Sequence, residues 1–228
     1  MNNKEKVNAG EKIGDFIQAR RKVFLVFLGV FVFAFLGMVA YLLVSDNLNS
    51  KDNAAVEELT RRFSEVKIHI NPEQSSEDVD VLLADLETFT DKKSLFFSGK
   101  TFARGKAWSL IGQIHSGRED WPHAQFAWEN AAKYGVKTYL GPIALFEAAV
   151  AAEEQGDIER AIELLQQCVD HKFEFPSAPR AQFSIGRLNE QLGNKEEALE
   201  AYRTVLINWP EMPVFHNLAR TRIISIEE

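Results

Sequence analysis

Histidine and cysteine are the residues best suited to metal binding or nucleophilic chemistry, and this sequence has few of them. It contains five histidines and one cysteine among 228 residues. No two histidines have the i,i+4 spacing that would place both imidazoles on one plausible ligand face, and no cysteine pair lies beside them. We therefore expect no metal site. The histidines are His69, His115, His123, His171 and His216.

The single cysteine, Cys168, cannot form an intramolecular disulfide. It stands where the repeat described below takes a small core residue, so we expect a buried, inert thiol, with a bridge between two chains as the alternative. The acidic pairs Glu153-Glu154 and Glu196-Glu197 are typical of solvated helix faces. The sequence contains no G-x-x-x-x-G-K-[ST], G-x-S-x-G or H-E-x-x-H motif. We expect no catalytic residue and no cofactor, and an enzyme without a known motif is the alternative.

One helical hairpin is written three times between residues 101 and 210. Its marker is an alanine, Ala124, Ala161 or Ala198, which recurs every 37 residues. The turn before each alanine also recurs, as Glu119-Asp120, Gly156-Asp157 and Gly193-Asn194. We expect a repeat core made of Trp108, Gly112, Ala124, Trp128, Ala149, Ala161, Gly186, Ala198, Tyr202 and Pro210.

Small residues on both helices of a hairpin allow the two backbones to approach closely. We expect Gly112, Ala149 and Gly186 to face the three alanines. The turn glycines suit the left-handed position at a helix end, and the polar residue after each can cap the next helix. Asn194 and Glu197 would form a capping box.

These positions resemble the tetratricopeptide repeat, whose pattern is a large residue, Leu, Gly and an aromatic, followed by Ala, an aromatic, Ala and Pro. The resemblance implies an all-α solenoid of helical hairpins. A divergent hairpin would precede the three repeats at residues 54–100, and a capping helix would follow at 211–228, since terminal repeats of solenoids are usually atypical.

Residues 23–44 form an uncharged apolar run of 22 residues. As a helix it would be ~33 Å long, which matches a ~30 Å hydrocarbon core. We predict a transmembrane helix, because the apolar region of the rival, a cleaved signal peptide, normally spans only ~7–15 residues. Residues 45–53 would be a polar linker.

Charge is distributed unevenly around this span. Residues 1–22 hold six Lys or Arg, whereas the formal net charge of the whole chain is -7. The positive-inside bias therefore predicts a cytoplasmic N-terminus and a C-terminal domain across the membrane, in the bacterial periplasm. An organelle-anchored protein that faces the cytosol fits these charges less well. The acidic C-terminal part also disfavours nucleic acid as a partner.

The combined architecture resembles the YfgM family, the ancillary subunit of the bacterial Sec translocon. The resemblance implies a non-enzymatic scaffold in the inner membrane, which assists newly translocated proteins. Its partners would be translocon subunits, a periplasmic chaperone and unfolded or partly folded polypeptide. An adaptor for another envelope complex, in cell division, cytochrome maturation or outer-membrane assembly, is the alternative.

The first helix of each repeat would line a protein-binding groove. In this register Phe146 and Phe183 are expected mid-groove and exposed, and the alternative is that a neighbouring helix covers them. The predicted groove consists of Lys106, Ser109, Gln113, Ile143, Phe146, Val150, Glu153, Arg180, Phe183, Arg187 and Glu190.

Overall fold

The structure is a computed structural model. It describes residues 21–66, 77–91, 102–172 and 175–228. Most of the predicted N-terminal basic segment, parts of the predicted first hairpin and His69 lie outside the described residues. The chain divides into two compact units, Met1–Leu48 and Asn49–Glu228.

Every regular element in the described part of the chain is an α-helix, which confirms the predicted fold class. In chain order they are α1 (Arg21–Val66), α2 (Glu77–Asp91), α3 (Phe102–Gly117), α4 (Trp121–Gly135), α5 (Leu140–Glu154), α6 (Ile158–Val169), α7 (Ala178–Leu192), α8 (Lys195–Asn208) and α9 (Pro213–Glu227).

The helix α1 contains the predicted membrane span. Its apolar part reaches a mean hydropathy of 2.6, and its side chains there are exposed, as at Phe33 with 82%. By length and composition it is able to cross a membrane. The predicted linker 45–53 is helical, since it belongs to α1.

In the second unit, consecutive helices from α2 to α9 pack against each other, as expected for stacked hairpins. The pairs α3–α4, α5–α6 and α7–α8 correspond to the three repeats that the sequence predicts. Val56, Leu59 and Phe63 near the end of α1 share a hydrophobic cluster with Val79 and other apolar residues of α2 and α3. Their 3–4 spacing explains the burial, because it places them on one helix face.

In the first and third repeats, a glycine of the first helix lies beneath an aromatic ring of the second helix. An ideal Cβ added to Gly112 would lie 2.7 Å from the Trp128 ring, and one added to Gly186 would lie 2.5 Å from the Tyr202 ring. The nearest partner of each glycine is therefore the ring sixteen residues later. Ala124 and Ala198, which these glycines were expected to face, are themselves fully buried.

The turns between paired helices use the left-handed conformation predicted for them. Gly156 and Gly193 have φ of 79° and 82°. Glu119 takes the same position in the first repeat with φ of 59°, although its Cβ disfavours that conformation.

Capping differs from one repeat to the next. The Asp157 side chain caps α6 by accepting a hydrogen bond from the Arg160 backbone N–H at 3.2 Å. The Asn194 side chain makes no capping hydrogen bond to α8, and its amide N–H donates to Asn189 Oδ1 at 3.3 Å. The predicted capping box is therefore absent.

Two members of the predicted repeat core differ from expectation. Trp108 is only half-buried, with its ring edge-on to Phe126 at 5.7 Å. Pro210 is exposed in the turn after α8, where a residue without a backbone N–H ends the helix without loss. The buried members are Gly112, Ala124, Trp128, Ala149, Ala161, Gly186, Ala198 and Tyr202.

The last helix, α9, covers the third repeat. Ala219 is buried against Tyr202 and Val205, with Phe215, Ile223 and Ile226 packed beside it. Leu218 of the same helix is 45% exposed.

Candidate functional site

One face of the second unit, here called the inner surface, is formed by the first helix of each hairpin. These helices are residues 49–66 of α1, then α3, α5 and α7, with α9 in the next position. Contacts between α3 and α5 and between α7 and α9 join them directly. This is the surface on which the sequence predicts a groove.

Ion pairs connect successive helices of the inner surface. An acid on one helix meets a base on the next in Glu57–Lys106 at 2.7 Å, Glu153–Arg187 at 2.7 Å and Glu190–Arg222. We call these three pairs the acid–base ladder. It occupies Lys106, Glu153, Arg187 and Glu190, which were predicted as groove residues. Such partly exposed pairs each stabilise a fold by only ~0–1 kcal/mol.

The ladder is interrupted between α3 and α5. The sequence of α5 contains no Lys or Arg, and the structure shows no ion pair between these two fully described helices. A cleft of about 520 Å³ lies there instead. It is lined by Phe63, Gln113, Ser116, Gly117, Trp128, Ile143 and Glu147.

Glu147 is the acidic residue that lines this cleft. Its side chain is half-buried, and burial raises the pKa of its carboxyl, an effect that the positive charge of Arg180 partly offsets. Among the described residues Glu147 forms no ion pair. A poorly hydrated carboxylate next to apolar Phe63 and Ile143 would be stabilised by a cationic group entering the cleft.

The structure places the predicted groove residues in different surroundings. Gln113 and Ile143 line the cleft. Val150 is half-buried against the core, and Ser109 is buried, with its hydroxyl donating to the Lys106 carbonyl at 2.7 Å. Glu147 was missed, although its i,i+4 spacing from Ile143 could have identified it.

The expectation of two exposed phenylalanines is wrong for Phe146 and is not met by Phe183. Phe146 is 6% exposed, with Phe175 5.8 Å away and the Arg180 guanidinium 5.1 Å from its ring centre. Phe183 is half-buried between two rings, with its ring centre 5.2 Å from that of Tyr202 on α8 and 6.3 Å from that of Phe215 on α9. Both rings therefore pack within the fold, which was the alternative.

Cys168 is buried as predicted, with 1% exposure. Its Sγ donates to the Pro142 carbonyl oxygen at 3.2 Å, and burial raises the pKa of the thiol to about 12. The thiolate that nucleophilic chemistry needs is therefore scarce at neutral pH. A larger cavity of about 600 Å³ lies beside it, lined partly by Phe175 and Trp209.

Two histidines that looked unrelated in the sequence meet at the turn between α3 and α4. His115 Nδ1 lies 3.0 Å from Asp120 Oδ2, and His123 Nδ1 lies 2.8 Å from Asp120 Oδ1. Burial lowers the pKa of His115, and Asp120 opposes this shift. These three residues could hold a metal ion. The spacing rule missed them because they lie on two helices.

Residues 110–172 and 170–213 match the family model described as tetratricopeptide repeat. The match supports a tetratricopeptide repeat protein. It begins within α3 and extends to the first residue of α9, so it covers the second and third hairpins and most of the first. Tetratricopeptide repeats imply a protein–protein interaction scaffold, in line with the inner surface described above.

A curated relative is the TPR repeat-containing protein of Treponema pallidum (strain Nichols), which is 34% identical over 147 residues. The match covers 64% of this chain and 59% of the relative, so the chain spans less than two thirds of that protein's length. Two crystal structures of nearly identical TPR-like repeats from a Podosopora anserina putative kinesin light chain, one of them with a glutamine-to-methionine substitution, align with a TM-score of 0.49 at 17% identity. Each alignment covers 72% of this chain and 77% of the solved one.

Proposed function

We propose that the protein is a membrane-anchored scaffold that binds extended polypeptide in the cleft between α3 and α5. The observation that supports this proposal is the interruption of the acid–base ladder between α3 and α5. At the three other contacts between successive helices of the inner surface, an acid and a base pair with each other. The cleft is instead lined by Glu147, together with Phe63 and Ile143, and Glu147 has no ion-pair partner among the described residues. The cleft therefore offers an apolar wall and one acid to a ligand.

An extended polypeptide with a basic residue fits this chemistry best. Its apolar side chains would bury against Ile143 and Phe63, and its ammonium or guanidinium group would neutralise Glu147. Gln113 can hydrogen-bond a peptide group. A folded partner would need a flatter and larger surface, since stable interfaces bury ~1,200–2,000 Å² in total.

The proposal includes a place in the cell. Helix α1 would cross the bacterial inner membrane at residues 23–44, with the repeats in the periplasm, as the basic residues before the span favour. The resemblance to the YfgM family adds the Sec translocon and a periplasmic chaperone as partners. An adaptor for another envelope complex is the second candidate.

Photo-crosslinking in intact cells tests the function. A crosslinker at Ile143, in the cleft, is compared with one at Glu159, which is exposed on the second helix of its hairpin. We expect adducts with newly translocated proteins and translocon subunits at Ile143 and few at Glu159. Adducts with division, cytochrome-maturation or outer-membrane assembly proteins would favour the second candidate. Equal labelling at both positions would exclude the cleft as the binding site.

The orientation is tested separately. A reporter that is active only in the periplasm, fused after Glu228, is expected to be active because six basic residues precede the span. An inactive periplasmic reporter together with an active cytoplasmic one would overturn the proposed topology and the translocon role.

A further inference from the structure

The turn between α3 and α4 gathers two imidazoles around one carboxylate. The two Asp120 oxygens each approach one ring, Oδ2 toward His115 and Oδ1 toward His123, at 3.0 and 2.8 Å. The rings stack with centres 5.2 Å apart and planes inclined by 24°. One nitrogen or oxygen from each residue lies within 4.8 Å of the others.

The Asp120 side chain does not cap the helix that follows it. It stands at the N-cap of α4, as Asp157 does at α6 in the next repeat. The Asp157 carboxylate caps its helix through the Arg160 backbone N–H, whereas the Asp120 side chain makes no capping hydrogen bond. Helix capping therefore does not explain the orientation of Asp120. Its carboxylate points to the histidines.

We propose that His115, Asp120 and His123 bind one divalent transition-metal ion of the zinc class. Imidazole nitrogen and carboxylate oxygen are ordinary zinc ligands, with bonds of ~2.0–2.2 Å. In a tetrahedral complex with such bonds, ligand atoms lie ~3.3 Å apart. The nitrogen–oxygen distances at Asp120, 3.0 Å to Oδ2 and 2.8 Å to Oδ1, are slightly shorter than this value. The ion would replace the hydrogen-bonding protons after side-chain rotations that bring both Nδ1 atoms within bonding distance of it.

Three protein ligands leave a fourth position for water or for a group from a partner. The His123 side chain is 70% exposed and that of His115 only 12%, so the cluster opens to solvent on the His123 side. The neighbouring cation Arg118 is held by Asp80 at 2.6 Å. The ion would link the end of α3 to the start of α4 across Glu119, where the turn lacks its usual glycine.

Zinc binding by the full chain tests this proposal. The tag-free protein in detergent is stripped with a chelator and titrated with Zn²⁺ by calorimetry, and Co²⁺ absorption is recorded as a second probe of coordination. We expect one ion per chain and a higher melting temperature with Zn²⁺. His123→Ala should weaken binding at least ~10-fold, because it removes one of three ligands while its exposed side chain contributes little to the fold.

Two further variants make the result decisive. His216→Ala removes a histidine from α9 and should leave zinc affinity unchanged. Asp120→Asn keeps the size of the side chain but removes its charge, and should also weaken binding. If the parent shows no saturable binding, or if His123→Ala binds as tightly as the parent, the three residues form a hydrogen-bonded cluster only and the proposal is wrong.

Discussion

The repeats are stabilised at the residue scale by matched sizes. Gly112 lies against Trp128 and Gly186 against Tyr202, whereas the second repeat has Ala149 and Leu165 in the corresponding places. Glycine on the first helix is therefore paired with an aromatic ring on the second helix, and alanine is paired with the smaller leucine side chain. Core packing density leaves no room for a Cβ beneath the ring unless the ring moves.

Gly186→Ala should therefore destabilise the protein. Its Cβ would lie 2.5 Å from Tyr202, and overpacking of this kind costs ~1–3 kcal/mol. The double variant Gly186→Ala with Tyr202→Leu copies the second repeat and should recover part of the loss relative to the sum of the single changes. Urea unfolding followed by circular dichroism measures both. Strictly additive effects would show that the two positions do not pack together.

Cys168 makes stability depend on alkaline pH. Burial raises the pKa of its thiol from 9.0 to about 12, so the folded state favours the neutral form. The associated stability is complete below the unfolded pKa near 9 and is lost as pH rises toward about 12. In Cys168→Ala, the free energy of unfolding should fall less steeply above about pH 9. Equal slopes for parent and variant would contradict this account of the thiol.

At the scale of the element, the turns between paired helices share one backbone conformation but differ in the residue that adopts it and in the cap that follows. The second and third repeats place glycine in the left-handed position, while the first places Glu119 there with φ of 59°. A left-handed residue with a Cβ costs roughly 1–2 kcal/mol. The first turn also lacks the side-chain cap that Asp157 provides in the second.

Glu119→Gly should stabilise the protein by about 1 kcal/mol, because it removes the Cβ from a left-handed position. Glu119→Ala is the matched control, since it removes the charge and keeps the Cβ. Thermal unfolding measures the stability of both variants, and a chelator is present so that bound metal does not stabilise the turn. A gain shared by both variants would assign the effect to the carboxylate rather than to the backbone.

Helix faces were predictable where a helix is buried on one side only. Val56, Leu59 and Phe63, whose 3–4 spacing marks one face of a helix, are all buried. In α5, nine of fifteen residues are buried, so apolar residues do not mark a single face. The prediction consequently placed Phe146 in the groove and passed over its neighbour Glu147. The His115–Asp120–His123 cluster escaped because it depends on how one turn brings two helices together.

At the scale of the whole molecule, the second unit combines internal charge pairing with an open cleft between α3 and α5. The acid–base ladder joins the first helices of successive hairpins, and among these described helices only the α3–α5 step replaces a pair with a cleft. Its position follows from composition, because α3 carries no Asp or Glu and α5 carries no Lys or Arg, so the acid-to-base pairing of the ladder cannot form at this step. The proposed polypeptide site thus results from a gap in a repeating pattern.

Binding of an unfolded polypeptide to the full chain in detergent tests this central claim most directly. Fluorescence anisotropy would compare a reduced, permanently unfolded chain rich in Lys and Arg with the same chain in which Gln replaces them. Ile143→Asp should weaken binding more than ~10-fold, as expected for an anchor worth ~2 kcal/mol. Glu147→Gln should weaken binding of the basic chain only, and Glu159→Gln should change neither. Equal affinities for parent, Ile143→Asp and Glu147→Gln would contradict the account.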